Sequence, residues 1–221
     1  MGRSLRQFVS LARLTTVEAA RRPLCLLLVM SCVVLTAATP LLLLHTFGEA
    51  GKLARDSGLA CHFVFGLFIA GYAACSSLAD EIRSGTAAAV LSKPVGRSVF
   101  LLGKFAGLAM LVVGFSFCAT LATLLAERVA VKYAFTGRLA GNITDWQTGN
   151  MLLAAPFLAL LVAGLVNYLT RRPFQSIAFG LLMLMLVGVL LISGLFDRAG
   201  DLRPYSLRVE WRILPASVLI T

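Results

Sequence analysis

The sequence predicts an all-α fold: a polytopic membrane helical bundle with five complete spans, the start of a sixth, and an amphipathic helix in front of them. Three observations carry this reading. The chain is 59% hydrophobic and only 14% charged, with a mean hydropathy of +0.89, whereas soluble domains carry roughly 25% charged residues. Apolar runs recur at about 20 residues, the length a helix needs to cross roughly 30 Å of hydrocarbon. Lys and Arg gather at the ends of those runs and form no basic stripe with interleaved aromatics. The net charge of +10 therefore points to anionic lipid head groups and not to nucleic acid. The runs leave no room for a soluble domain, so residues 1–221 read as one membrane domain.

Taken in order, residues 1–22 form an amphipathic helix, with Leu5, Phe8, Val9 and Ala12 on one side and Arg3, Arg6 and Arg13 spread over the others. Such a helix lies on the membrane surface. The apolar run that follows is too long for a signal peptide and lacks an A-x-A cleavage site. Residues 23–44 are the first span, 22 residues reaching roughly 33 Å. Arg21-Arg22 mark its cytoplasmic end, and Pro40 is a kink position near the outer surface. An external loop leads to the second span, 59–79, where Gly66, Ala70, Gly71, Ala74 and Cys75 give a small-residue face suited to close helix packing.

Next comes a polar island, Asp80 to Lys104, bearing Asp80, Glu81, Arg83, Lys93, Arg97 and Lys104. A charge at the centre of a spanning helix costs roughly 2.5–3.5 kcal/mol, and each large apolar residue returns only about 0.3–0.6. The island must therefore lie outside the hydrocarbon. Ala87, Ala88 and Ala89 favour a helix, which Pro94 stops near Ser92 because it disfavours α geometry at Lys93. Residues 80–97 thus read as a short surface helix, a sharp turn and a return to the membrane.

The third span, 98–125, carries a GxxxG pair, Gly103 and Gly107, and Lys104, which can snorkel to the head groups. Residues 127–148 form an external polar stretch with Tyr133, Phe135 and Trp146 as interfacial anchors. The fourth span, 150–170, has Ala155, Ala159 and Ala163 in one row. Arg171-Arg172-Pro173 turns the chain into the fifth, 174–196. Residues 197–212 are external, and 213–221 open a further apolar run too short to span. With the N-terminus inside, eleven of the twenty Lys and Arg face the cytoplasm, and the paired arginines at helix ends fix the orientation better than the totals do.

Catalytic motifs are absent: no Walker A loop, GxSxG elbow or HExxH occurs. No cofactor is implied. Cys25, Cys32, Cys61, Cys75 and Cys118 form no CxxC pair and read as small apolar residues. His45 and Cys61-His62 make a poor metal site, and His62 reads as a polar helix end. Apart from Lys104 the spans carry essentially no ionisable group that could bind a coupling ion, which favours a machine driven through a cytoplasmic contact over an ion-coupled carrier.

The island then supplies a resemblance. Glu81, Gly85-Thr86, Leu91-Ser92-Lys93-Pro94-Val95, Arg97 and Leu102-Gly103-Lys104 resemble the segment after the second helix of ABC-2 type transporter permeases. The resemblance is closest to the branch that includes the permease of the nitrous-oxide-reductase maturation transporter. It implies an ATP-driven exporter's permease subunit in a bacterial inner (plasma) membrane, N-terminus cytoplasmic, working as a homodimer with a separate nucleotide-binding ATPase subunit. Residues 80–97 would be the coupling segment that docks on that ATPase. Glu81, Gly85, Thr86, Leu91, Pro94, Arg97 and Lys104 would be its ATPase-coupling residues, and residues 1–22 the elbow helix. Family members have six spans, which implies that the chain stops at the entrance to the sixth; a five-span protein is the alternative. A membrane scaffold that carries partners and transports nothing is the rival function.

Overall fold

The computed structural model describes residues 2–42, 49–84, 97–130, 132–136, 139–143 and 145–195. They form six helices and one hairpin in the order α1 (Gly2–Ala20), α2 (Pro23–Leu42), α3 (Ala50–Ser84), α4 (Arg97–Val129), β1 (Lys132–Thr136), β2 (Leu139–Ile143), α5 (Trp146–Thr170) and α6 (Phe174–Leu195). Helices α2 to α6 are each long and apolar enough to cross a membrane. The polytopic helical bundle expected from the sequence is what the chain forms.

The breaks between helices follow from local chemistry. Pro23 has no N–H to continue α1 and sits at the first position of α2, where that N–H would be unsatisfied in any case. Between α5 and α6 the chain reverses at Arg171, a non-glycine residue in the left-handed region (φ 52°, ψ 24°), whose N–H donates to Asn167 O at 2.8 Å. The Asn167 amide bonds Arg172 O across the same turn. Pro173 then precedes α6, so the Arg-Arg-Pro turn is as tight as its sequence requires.

Three spans exceed their expected bounds, α5 by starting at Trp146 instead of 150. Helix α3 begins at Ala50, nine residues before the predicted 59–79 span, and ends at Ser84; at 35 residues it is about 52 Å long. Its added first turns are held by small residues, since Ala50, Ala54 and Ala130 pack as a cluster of their own. Helix α4 runs past the predicted 98–125 to Val129 for the same reason. The stretch 127–148, read from the sequence as a polar loop, contains the antiparallel hairpin β1–β2, with Lys132 opposite Ile143 and Thr136 opposite Leu139. The predicted surface helix from 80 to about 92 continues α3 as far as Ser84; its remainder, 85–92, and the run 213–221 lie outside the described residues.

One core joins α2 to α6, centred on Val29, Val33, Ile69, Phe115, Leu152 and Leu182. Ala155, Ala159 and Ala163 are buried in it as their spacing predicts. The small-residue face expected on α3 is divided within this chain: Gly66 packs on Phe115. Gly71, Ala74 and Cys75 are exposed, because Gly58, His62, Gly66, Ile69 and Ala73 occupy the face that α3 turns toward its neighbours. Helix α1 does not simply lie apart from the bundle either. Its Ala12, Thr15 and Ala19 are buried, and it docks along the first half of α4.

Candidate functional site

The polar side chains gather at one end of the bundle, where α2 and α4 begin and α3 ends. The junction between α1 and α2 places Arg22 against the last turns of α3: its guanidinium pairs with Asp80 and reaches Ser76 O at 3.5 Å. Burial opposes the charge on Arg22, but the bond to Asp80, helped by Tyr72, more than offsets this and holds its pKa above the ordinary value. From α4, Lys104 Nζ donates to Ser77 Oγ at 3.3 Å and lies 5.5 Å from the centre of the Phe100 ring. The roots of segment 85–96 are therefore braced on both sides, by Arg22 on the α3 root and by Lys104 across to it.

The same end carries the seat of α1. A methyl group built on Gly107 would stand 2.6 Å from Ala12 O, and one on Gly103 would stand 2.8 Å from Leu11 Cδ2. Only the absence of Cβ at these two positions lets α1 lie so close to α4, which is the GxxxG principle at work. Thr16 Oγ1, 2.9 Å from Gly107 O, completes the contact. Thus α1, the start of α2, the end of α3 and the start of α4 meet as one polar and small-residue assembly.

Of the residues singled out from the sequence, Glu81 lies in the last turn of α3 and Arg97 opens α4. Lys104 is bonded as just described. Gly85, Thr86, Leu91 and Pro94 lie outside the described residues. The site also contains Arg22, Ser77 and Thr16, which sequence reasoning did not assign to it, and Asp80, which opens the expected coupling segment without being named among its residues. The signal for Arg22 was present as an arginine at a helix end, but its partner is 58 positions away and no local pattern pairs them.

Two further polar contacts lie higher in the bundle. At the opposite end, Asp145 caps α5 by accepting from Thr148 N at 2.9 Å and pairs with Arg128 Nε at 3.0 Å, tying α4 to α5 across the hairpin. Between the two ends, His62 Nε2 lies 2.8 Å from Ser116 Oγ, and its ring meets Phe115 edge to face at 5.5 Å. The reading of His62 as a polar helix end is corrected: the earlier start of α3 puts it more than three turns inside the helix, and it is buried. The expectation that the spans lack ionisable groups apart from Lys104 is corrected with it. Among the described residues no cluster of three or more His, Cys, Asp or Glu could hold a metal ion.

Residues 12–196 match the family model for ABC-2 family transporter protein. No curated protein and no solved structure matches the chain.

Proposed function

This chain belongs to the ABC-2 transporter family, and we propose that it is the permease subunit of an ATP-driven exporter whose ATP hydrolysis is carried by a separate subunit. Membership makes it a multi-pass membrane component of a transporter. The finer reading is that residues 80–97 dock on the ATPase, that two copies enclose the path, and that the Arg22 end of the bundle faces the cytoplasm.

The observation that carries it is the bracing of the helix ends on either side of residues 85–96. A docking segment can pass force to membrane helices only if its roots are held, and here the Arg22–Asp80 and Lys104–Ser77 contacts fasten both roots to the bundle. Through Arg22 the same displacement reaches the α1–α2 junction, and through Gly103 and Gly107 it reaches α1. Glu81, Gly85, Thr86, Leu91, Pro94 and Arg97 then make the contact surface, with Lys104 supporting it. The paired arginines Arg21-Arg22 and Arg171-Arg172 support the orientation, since cytoplasmic helix ends collect Lys and Arg.

The test is affinity purification of the full-length protein in mild detergent, with identification of co-purifying chains and an ATPase assay of the assembly. An associated Walker-motif subunit that is lost when Glu81 is replaced by Arg or Gly85 by Trp, with membrane insertion unchanged, bears the proposal out. A well-folded preparation that carries no ATPase overturns it in favour of a membrane scaffold.

A further inference from the structure

We infer that His62 is a positioning residue that clamps α3 to α4, so that the two helices flanking the docking segment move as one rigid lever. The inference rests on the docking role proposed for residues 80–97.

Four contacts run antiparallel along the pair, three of them in one register and His62 reaching Ser116 about one turn from it. Gly58 faces Thr123, His62 bonds Ser116, Gly66 faces Phe115, and Ser77 bonds Lys104. The partners step back along α4 as α3 advances, with no slip between the first contact and the last. Two helices of 35 and 33 residues locked over such a length transmit a displacement at one end to the other.

Within this series only His62 bonds its partner deep inside the apolar stretch, among the described residues. Ser116 is twelve positions from both Lys104 and Arg128, about 18 Å along the helix each way. In hydrocarbon a polar side chain with a partner on the next helix fixes rotation and register, which apolar packing alone leaves soft. A histidine at such a depth is costly to insert and marks a position with a role, which the Nε2–Ser116 geometry supplies. It is Nε2 that bonds, so the role passes to a side chain with an amide at that position: Gln reproduces it, while Asn, whose amide stands where Nδ1 stands, does not.

The experiment uses the full-length protein co-purified with its ATPase and measures ATP hydrolysis per assembly in nanodiscs. An average interhelical hydrogen bond in a bilayer favours the locked helix pair by a factor of roughly three, so His62→Leu and His62→Asn should lower the rate by up to roughly threefold, as far as hydrolysis follows the locked population, and His62→Gln should keep it. A Gly58→Cys/Thr123→Cys disulfide then fastens the same two helices one turn away. The built Cβ at Gly58 stands 3.2 Å from Thr123 Cβ, a few tenths of an ångström short of the usual disulfide range, which a small shift of either helix restores. If His62 acts as a clamp, oxidation of this pair restores the rate of His62→Leu, and reduction removes the gain. A normal rate in His62→Leu, a defect that the disulfide does not repair, or loss of activity when the disulfide forms in the otherwise native chain would each overturn the lever. Absence of a co-purifying ATPase would instead overturn the docking role on which it rests.

Discussion

Replacing Gly107 by Ala should release α1 from α4. The added methyl group would lie 2.6 Å from Ala12 O and 2.7 Å from Thr15 Cβ. Neither atom can rotate away, since one is backbone and the other is fixed to it, so α1 must move as a body. Overpacking of this kind costs about 1–3 kcal/mol. The shift also stretches the Thr16–Gly107 bond, and an average interhelical bond in a bilayer contributes about 0.6 kcal/mol. Alanine is the better helix former by about 1 kcal/mol, but α4 is helical whether α1 is docked or not, so that gain cancels from the docking equilibrium. The net is about 1.6–3.6 kcal/mol, a rise of roughly fifteen- to four-hundredfold in the undocked population. Thr15 is buried against α4, so the reaction of a Thr15→Cys thiol with a soluble maleimide reads that population; Cys75, the exposed native thiol, is changed to Ser first. Gly103→Ala is the control. Its methyl meets mainly the flexible end of Leu11, at 2.8 Å, and labelling should rise less than about tenfold. The close-approach argument is refuted if Gly107→Ala labels no faster than its parent, or if Gly103→Ala labels as fast as Gly107→Ala.

Other perturbations have equally definite outcomes. Arg22→Ala should cost little stability, about 1 kcal/mol or less for a partly exposed pair, yet depress ATPase coupling. The exchange Arg22→Asp with Asp80→Arg should recover that coupling, measured as hydrolysis by the co-purified assembly. Asp145→Ala should lower thermal stability in detergent by the lost cap, about 0.5–2 kcal/mol, plus the cost of leaving Arg128 without this carboxylate. Asp145→Ser keeps a capping oxygen and should fall between Ala and the native protein. Gly58→Ala drives a methyl group to 2.8 Å from Thr123 Oγ1 and Cγ2 and should destabilise by about 1–3 kcal/mol. At Gly71 nothing lies within 4 Å, so Gly71→Ala should be neutral or stabilising by up to about 1 kcal/mol in the same melt.

The helical bundle was legible because a bilayer makes composition decisive: backbone groups in hydrocarbon must bond within their own helix, so a long apolar run admits one regular structure. The proline boundaries at Pro23 and Pro173 were legible too, since proline acts on its immediate neighbours whatever the tertiary context. The GxxxG pair marked a place where a helix could approach. The ends of α3 and α4 were not legible, because their added turns are held by Ala50 and Ala54 meeting Ala130 from another helix, and alanine alone carries no sign of having a partner. The hairpin after α4 was missed for a similar reason, since polar residues between two spans read as loop until the strands pair.

What the sequence by itself determined about this protein is therefore its class, the five spans among the described residues, and the place where its charges break the apolar pattern. Those properties follow from the solvent and from neighbours along the chain. Only the tertiary structure decided that α1 fills the Gly103–Gly107 groove, that Arg22 holds Asp80, that Asp145 holds Arg128, and that His62 meets Ser116 inside the bundle. Each of these joins residues far apart in sequence. Which helix face meets which is a matter of shape and register between packed surfaces, and no local periodicity contains it.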